Sequence, residues 1–179
     1  MPLSPIDVQT RARNIRLLVL DVDGVLTDGC LEIDSRGRES KRFYIRDGAA
    51  MVWAQKVGLE VAWLSGRPSD VTLRRAHELR IKTVIQDGPD KGAGYDRLMS
   101  MFAHPDEAVA YMGDDLLDLP VLGRVGLSAA PADAAPLVQE RVHWVSDAPG
   151  GRGAVRELIE LLLQASDRWN SVMELNHAR

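Results

Sequence analysis

The sequence has almost no cysteine, no long apolar run and no excess of positive charge. Its single cysteine, Cys30, excludes an intrachain disulfide and is typical of a reducing compartment. A formal net charge of −4 at pH 7 does not favour nucleic acid as a partner. No apolar stretch is long enough to cross a bilayer, and residues 1–14 lack the apolar centre of a signal peptide. These shortages predict a cytoplasmic protein that binds neither nucleic acid nor a membrane.

Apart from these shortages, the composition is that of an ordinary folded protein. Hydrophobic residues make up 45% of the chain and charged residues 27%, which argues against disorder. A chain of 179 residues is long enough to bury one good core. We therefore predict a single domain over residues 1–179, with its core between about residues 15 and 165.

One stretch, Leu17–Asp28, is distinctive because an apolar run leads directly into two aspartates. The run Leu17–Leu20 fits a strand that is buried on both faces of a parallel sheet. Asp21 and Asp23 follow at its carboxyl end, where open α/β sheets place their chemistry. Gly24 allows the backbone to turn closely around whatever the carboxylates hold. The alternative is a strand that simply ends in a solvated acidic turn.

The rest of the chain alternates between strand and helix patterns. Strands are predicted at residues 15–20, 60–64, 83–85, 108–112, 125–128 and 143–145. Residues 30–34 and 40–45 flank a glycine-containing turn and predict a β-hairpin. The alternation predicts an α/β protein with a doubly wound, mostly parallel sheet, right-handed crossovers and a hairpin insertion.

Several helix boundaries are predicted from capping residues and proline. Asp47 predicts an N-cap for a helix over residues 48–57. Pro68 is expected in the first turn of the next helix. The last helix is predicted over residues 154–166, and the tail after Asp167 is expected to fray.

Polar residues follow four of the predicted strands and should converge, because the carboxyl ends of parallel strands meet at one sheet edge. These residues are Asp21 with Asp23, Ser65 with Gly66, Lys91, and Asp114 with Asp115 and Asp118. Three acids and a main-chain carbonyl form a hard-oxygen site that suits Mg²⁺. A hydroxyl, backbone N–H groups at a helix start and a lysine suit a phosphate. An aspartate beside Mg²⁺ can attack phosphorus, so the pattern indicates phosphoryl transfer through an aspartyl-phosphate.

The same residues resemble the four motifs of the haloacid dehalogenase superfamily of phosphatases. Four segments narrow the resemblance to the 3-deoxy-D-manno-octulosonate 8-phosphate phosphatase family: 21–29, 45–48, 111–121 and 150–157. The resemblance covers about residues 15–163 and implies a Rossmann-like core without a cap domain. It also implies Mg²⁺-dependent hydrolysis of a 3-deoxy-ulosonate sugar phosphate, for lipopolysaccharide sugar synthesis. The gaps between Asp21, Ser65 and Lys91 agree, because neither can hold a cap beyond the hairpin and the crossovers.

The resemblance implies a role for each acidic residue. Asp21 would be the nucleophile and a metal ligand. Asp23 would be the general acid and then the general base, and its main-chain carbonyl would bind the metal. Asp114 would be the third protein ligand. Asp115 and Asp118 either lie near the metal or cap the short helix that follows, since acidic residues often cap helices.

The predicted substrate-binding residues are Ser65, Gly66, Arg46, Arg67 and Arg152. Ser65 and the Gly66 N–H would hold phosphate oxygens, while Lys91 would neutralise the nucleophile and the transferring group. Arg46 is favoured because a guanidinium binds carboxylate or phosphate through two hydrogen bonds, whereas Arg67 could be a solvated surface residue. The three glycines around Arg152 predict a mobile segment that approaches the substrate carboxylate. The alternative is a flexible lead-in to the last helix.

Members of the family are homotetramers, so the resemblance implies one here, with the hairpin joining subunits and the glycine-rich segment reaching a neighbouring active site. Two alternatives stay open for function. One is a phosphatase for a nine-carbon ulosonate phosphate such as an N-acylneuraminate 9-phosphate. The other is a non-catalytic oligomerisation module, which the presence of the full set of motif residues argues against.

Overall fold

The computed structural model describes residues 4–177. Its α-helices are α1 (Pro5–Arg13), α2 (Ile45–Lys56), α3 (Asp70–Glu78), α4 (Lys91–Met99), α5 (Leu119–Leu122), α6 (Pro136–Gln139), α7 (Ala154–Ala165) and α8 (Trp169–His177). Its strands are β1 (Leu17–Leu20), β2 (Glu32–Ile33), β3 (Glu39–Ser40), β4 (Glu60–Leu64), β5 (Thr83–Ile85), β6 (Val109–Met112), β7 (Leu127–Ala130) and β8 (Trp144–Val145). Short 3₁₀ turns occupy Asp106–Ala108 and Leu116–Asp118.

Within the described residues, six strands form one parallel sheet in the order β5-β4-β1-β6-β7-β8. β1 lies inside the sheet, where Leu17 is in register with Glu60 of β4 and Val109 of β6. β2 and β3 pair separately as an antiparallel hairpin. The predicted α/β class, with a parallel sheet and a hairpin insertion, is confirmed.

The sheet is covered on both faces, which is why its inner strands are apolar without interruption. Leu18 and Leu20 of β1 belong to a core shared with α1, α2 and α7. Leu17 and Val19, which point the other way, belong to a second core shared with α4 and α5. All four side chains are fully buried, and burial of this apolar surface is the main stabilising term for the sheet.

Two predicted helix starts are wrong. α2 begins at Ile45, so Asp47 lies inside the first turn and does not cap its own helix. Its buried Oδ1 instead accepts a hydrogen bond from the backbone N–H of Arg156, 3.0 Å away in α7. Pro68 precedes the next helix, whose N-cap is Ser69. Asp47 therefore serves a distant helix, whereas the start of α3 is fixed by the side chain of Ser69, which accepts a hydrogen bond from the Thr72 N–H.

The tail after Asp167 forms α8, where the sequence predicts fraying. Val172 is buried, and Trp169 packs edge-on against Trp53 of α2 with ring centroids 6.4 Å apart. The guanidinium of Arg156 lies 4.8 Å from the centre of the same Trp53 ring. Tertiary contacts of this kind stabilise short helices whose intrinsic helix propensity is too low to keep them folded.

Between residues 21 and 111, all of which the structure describes, the connections contain the hairpin and the crossover helices and no inserted cap domain. Within residues 21–111, therefore, no inserted domain covers the carboxyl end of the sheet. Of the helices described, none is long and apolar enough to span a membrane.

Candidate active site

The loop after β1 places two aspartates at the carboxyl edge of the sheet. The Asp21 N–H donates to the Met112 carbonyl at 3.0 Å, which continues the pairing of β1 with β6. Oδ1 of Asp21 accepts a hydrogen bond from the Val22 N–H at 2.6 Å. Gly24 has φ +86°, and a Cβ there would lie 2.0 Å from Oδ2 of Asp114. A glycine is therefore required for this loop to approach Asp114.

Lys91, the first residue of α4, brings a buried ammonium group to Asp21. Its side chain is only 3% exposed, and Nζ lies 2.6 Å from Oδ1 of Asp21. The same Nζ donates to Oδ1 of Asp118 at 3.0 Å and to the Leu64 carbonyl at 3.1 Å. The predicted nucleophile and the predicted lysine are thus in direct contact.

Asp118 is a buried carboxylate whose two oxygens are fully engaged. Besides Lys91, Oδ1 accepts a hydrogen bond from the Tyr111 hydroxyl at 2.6 Å. Oδ2 accepts from the backbone N–H groups of Asp114 and Asp115 at 3.0 and 3.1 Å. Asp118 therefore fixes both Lys91 and the loop that carries Asp114, and Asp115 caps the short 3₁₀ turn through the Leu116 N–H.

Several negative groups share this site, and their pKa values reflect it. Burial, followed by the charge of Asp118, raises the pKa of Asp21 to about 7, although Lys91 opposes the change. Burial, followed by the charges of Asp21 and Asp118, raises the pKa of Asp114 to about 8. Burial lowers the pKa of Lys91, but the carboxylates outweigh it and hold the pKa above its ordinary value. Ionised carboxylates in this position are stabilised by added positive charge.

The donor set fits a hard divalent cation such as Mg²⁺. Carboxylate oxygens of Asp21, Asp114 and Asp118 lie within 4.8 Å of one another. Within residues 4–177, the Asp114 carboxylate and Oδ2 of Asp21 accept no hydrogen bond, so these oxygens are free for a metal. Oxygen ligands from carboxylates are what Mg²⁺ prefers. Asp118 has both oxygens engaged, which favours a role in orienting Asp114 and Lys91 over direct contact with the metal.

The predicted phosphate-binding residues lie beside these acids. Ser65 is buried, and its N–H donates to the Ile85 carbonyl at 2.8 Å, which fixes it at the end of β4. A Cβ at Gly66 would lie 3.5 Å from Cε of Lys91 and from the Gly88 carbonyl oxygen. Seven predicted site residues line one open cleft of about 240 Å³: Asp21, Asp23, Ser65, Gly66, Arg67, Lys91 and Asp114.

The three predicted arginines do not converge in the same way. Arg67 lines the cleft, and its guanidinium lies 2.5 Å from Oε2 of Glu39 in the hairpin. Arg46 is exposed on α2, and Arg152 is exposed in the turn before α7. Neither Arg46 nor Arg152 lines this cleft.

The glycine-rich turn before α7 is packed against the loop after β1, where the sequence predicts a mobile segment. The Gly151 N–H donates to the Val25 carbonyl at 2.9 Å, and the Gly150 N–H donates to Oδ1 of Asp133 at 2.8 Å. A Cβ at Gly150 would lie 1.8 Å from the Gly24 carbonyl oxygen. The glycines are therefore needed for close contact between two backbone segments.

Two polar residues at the site were missed from the sequence. Lys41 follows β3, and its Nζ lies 2.7 Å from Oδ1 and 2.9 Å from Oδ2 of Asp23. No sequence pattern marks Lys41, because the contact depends on how the hairpin packs beside the loop that carries Asp23. Tyr111 had a signal, a hydroxyl at the centre of an otherwise apolar strand, where a buried hydroxyl needs a partner.

The chain is similar to known proteins in sequence and in structure. A family model described as haloacid dehalogenase-like hydrolase matches residues 68–158. The 3-deoxy-D-manno-octulosonate 8-phosphate phosphatase of Salmonella typhimurium is 45% identical over 167 residues, which cover 93% of this chain and 88% of that protein.

Solved structures extend this similarity to the fold. The phosphatase of the same name from Yersinia pestis aligns with a TM-score of 0.90 and 43% identity, over 92% of this chain and 89% of that one. The corresponding phosphatase from Moraxella catarrhalis was solved with a magnesium ion, a phosphate ion and a KDO molecule. It aligns with a TM-score of 0.93 and 31% identity, over 97% of this chain and 100% of that one.

Proposed function

Because this chain belongs to the haloacid dehalogenase-like hydrolases, we propose that it hydrolyses 3-deoxy-D-manno-octulosonate 8-phosphate to 3-deoxy-D-manno-octulosonate and phosphate. The family resemblance predicted from the motifs is confirmed. The observation that carries the proposal is the contact between Asp21 and Lys91 in a chain that matches phosphatases of this name over most of its length. We also propose that the catalytic unit is one domain in the cytoplasm, as the sequence predicts.

In the proposed reaction, Asp21 attacks phosphorus and the bond from phosphorus to the sugar oxygen breaks. Hydrogen bonds from the Val22 N–H and from Lys91 hold Oδ1 of Asp21 and fix the direction of the carboxylate. A fixed nucleophile lowers the entropic part of the barrier. The positive charge of Lys91 also offsets the repulsion between the carboxylate and the phosphate dianion.

Proton transfers are assigned to Asp23, which lies in the same cleft. As general acid, Asp23 donates its proton to the departing sugar oxygen. As general base, it then removes a proton from the water that attacks the phosphorus of the Asp21 phosphoryl group. That second attack breaks the bond to Asp21 and releases inorganic phosphate. Ser65 and the Gly66 N–H hold the phosphate oxygens throughout.

Mg²⁺ would be held by the carboxylates of Asp21 and Asp114 and by the main-chain carbonyl of Asp23. When bound, it supplies positive charge that neutralises the buried carboxylates and the transferring phosphoryl group. The support from this chain is the free oxygens of Asp21 and Asp114 and the raised pKa values of both residues. Asp118 would orient Asp114 and Lys91 without touching the metal.

We propose that the chain forms a homotetramer through its hairpin. Leu31 and Ile33 are apolar yet 39% and 62% exposed, and an isolated two-stranded hairpin is only marginally stable. Arg152 would then meet the substrate carboxylate in a neighbouring subunit. Mixing inactive Asp21→Asn subunits with impaired Arg152→Ala subunits should restore activity, because some sites would combine an intact Asp21 with an intact Arg152 from the neighbouring subunit. No recovery after verified subunit exchange, with both parents tetrameric, would refute sharing of the site.

The substrate is tested with a panel of eight-carbon and nine-carbon ulosonate phosphates, arabinose 5-phosphate and p-nitrophenyl phosphate, assayed for released phosphate. We expect kcat/KM for the eight-carbon compound to exceed the others by at least about tenfold, a difference of about 1.4 kcal/mol in transition-state binding. The Asp21→Asn variant is the control for contaminating phosphatases. A preference for the nine-carbon compound would overturn the assignment in favour of that substrate.

A further inference from the structure

Lys41, which follows β3 of the hairpin, forms an ion pair with Asp23, the residue assigned as general acid. Lys41 Nζ lies 2.7 Å from Oδ1 and 2.9 Å from Oδ2 of Asp23, so one ammonium group contacts both carboxylate oxygens. Within residues 4–177, Lys41 is the only side chain that hydrogen-bonds this carboxylate. The direction of the Asp23 carboxylate therefore depends on Lys41.

Lys41 reaches Asp23 from behind the cleft. Its side chain is 0% exposed and does not line the cleft, whereas the Asp23 side chain is 37% exposed. Lys41 Nζ also donates to Oγ1 of Thr72 at 3.3 Å, which anchors the ammonium group on α3. One end of the ion pair is thus fixed in the protein, and the other end faces the cleft.

The same hairpin strand also contacts the loop after β4. Glu39 Oε1 accepts a hydrogen bond from the Ser69 hydroxyl at 2.6 Å, and Oε2 is paired with Arg67. Lys41 Nζ lies 3.7 Å from Oε1 of Glu39. A continuous set of charged contacts therefore connects the loop of Asp23 with the loop that carries Arg67.

We propose that Lys41 is a positioning residue that aims the Asp23 carboxyl group at the departing sugar oxygen. The inference rests on the proposed function, because it needs Asp23 to be the general acid. Proton transfer requires heavy atoms within hydrogen-bond reach of each other. An Asp23 side chain with no partner would rotate into solvent and spend little time in the productive direction. The hairpin, whatever its part in assembly, thereby supports the chemical step.

The test is Lys41→Met, which keeps an unbranched apolar stem and removes the ammonium group. Steady-state kcat/KM is measured for the ulosonate phosphate and for aryl phosphates whose leaving groups span a range of pKa values. This parameter reports only the steps up to formation of the phosphoryl-enzyme. General acid catalysis contributes about 10²–10⁴-fold, so we expect a loss of roughly tenfold or more for the sugar phosphate. We expect a loss below about threefold for p-nitrophenyl phosphate, whose leaving group needs no proton.

Two controls separate positioning from a general structural effect. Lys56→Met removes an exposed lysine at the end of α2 and should leave both activities unchanged. In an Asp23→Asn background, Lys41→Met should cost no more than about twofold, because the group it positions is already absent. Equal losses on all substrates, or an undiminished loss in the Asp23→Asn background, would overturn the proposal.

Failure of this proposal and failure of the substrate assignment are distinguishable. The aryl phosphate series tests Lys41 even if the wild-type protein ignores every ulosonate phosphate. If Lys41→Met does not fold, Lys41→Gln replaces it, since the amide can still donate one hydrogen bond to Asp23. For Lys41→Gln, the loss of kcat/KM should also grow with the pKa of the leaving group, but less steeply than for Lys41→Met. A loss that does not change with leaving-group pKa would refute the positioning role.

Discussion

Replacing Gly151 by alanine should destabilise the protein far more than replacing Gly37, although both glycines have nearly the same left-handed backbone. Their φ angles are +62° and +74°. A Cβ at Gly151 would lie 2.4 Å from the carbonyl carbon of Thr27 and 2.6 Å from the nitrogen of Asp28. A Cβ at Gly37 would have nothing within 4 Å. The pair therefore separates backbone strain from steric overlap.

The magnitude follows from these two terms. Left-handed backbone costs an alanine about 1–2 kcal/mol, and this cost applies to both variants. Forcing extra atoms into a packed region adds about 1–3 kcal/mol, which applies to Gly151→Ala alone. For a chain of this size, each kcal/mol shifts Tm by about 2–4 °C. We expect Tm to fall by roughly 2–8 °C for Gly37→Ala and roughly 4–20 °C for Gly151→Ala.

Differential scanning fluorimetry measures Tm, and phosphate release measures activity on the same samples. Gly151→Ala should also lose activity at temperatures where it stays folded, because Thr27 and Asp28 belong to the loop that holds Asp21 and Asp23. Gly37→Ala should keep full activity. Equal Tm losses in the two variants would show that the turn moves away freely, and would refute the tight packing on which the argument rests.

Three further outcomes are expected. Asp21→Asn should keep the fold, as measured by circular dichroism, but retain less than about a thousandth of wild-type turnover. Enzymes accelerate reactions at least ~10⁶-fold over solution, and the amide cannot attack phosphorus. Higher turnover would reject the aspartyl-phosphate route. Mg²⁺ binding should weaken from pH 8 to pH 6, because protons occupy Asp114 and Asp21, with pKa values of about 8 and 7, before the metal displaces them. Calorimetry at pH 7 in two buffers should show roughly one to two protons released per metal, and equal affinity at both pH values would contradict this. Asp118→Asn should lower the free energy of unfolding, measured in urea, by about 2–4 kcal/mol. The amide NH₂ group of asparagine would have to face hydrogen-bond donors, either Lys91 and Tyr111 or the two backbone N–H groups. An unchanged urea midpoint would argue against this network.

The sheet was largely predictable because its strands carry their own signal. Glu60–Leu64 and Thr83–Ile85 were predicted with the bounds that the structure has, since each is an apolar run followed by turn residues. The hairpin was predicted longer than it is, because its apolar alternation continues beyond the paired residues Glu32–Ile33 and Glu39–Ser40. Local patterns indicate an extended segment, but they do not determine how many of its residues pair with the neighbouring strand.

The errors arose where a residue serves a distant element. Asp47 has the local pattern of an N-cap, yet its carboxylate binds the backbone at the start of α7. Lys41 and Asp23 are joined by the fold of the hairpin, and no spacing rule predicts that contact. By contrast, Asp21, Ser65, Lys91 and Asp114 follow strands of one parallel sheet, so topology alone brings them to one edge. Their roles stay predictions until the variants are assayed.

The central position of β1 has a consequence for synthesis on the ribosome. This strand is made first, yet its two neighbours in the sheet are residues 60–63 and 109–112. Until the second neighbour leaves the exit tunnel, the nascent chain exposes Leu17–Leu20 with an unpaired edge, and unpaired apolar edges promote aggregation. Translation at about 5–20 residues per second keeps that edge open for several seconds. Slower translation should therefore lower the recombinant yield, and added chaperones should raise it. Catalytic activity needs Asp114, which follows β6, so it appears only after β6 has paired with β1.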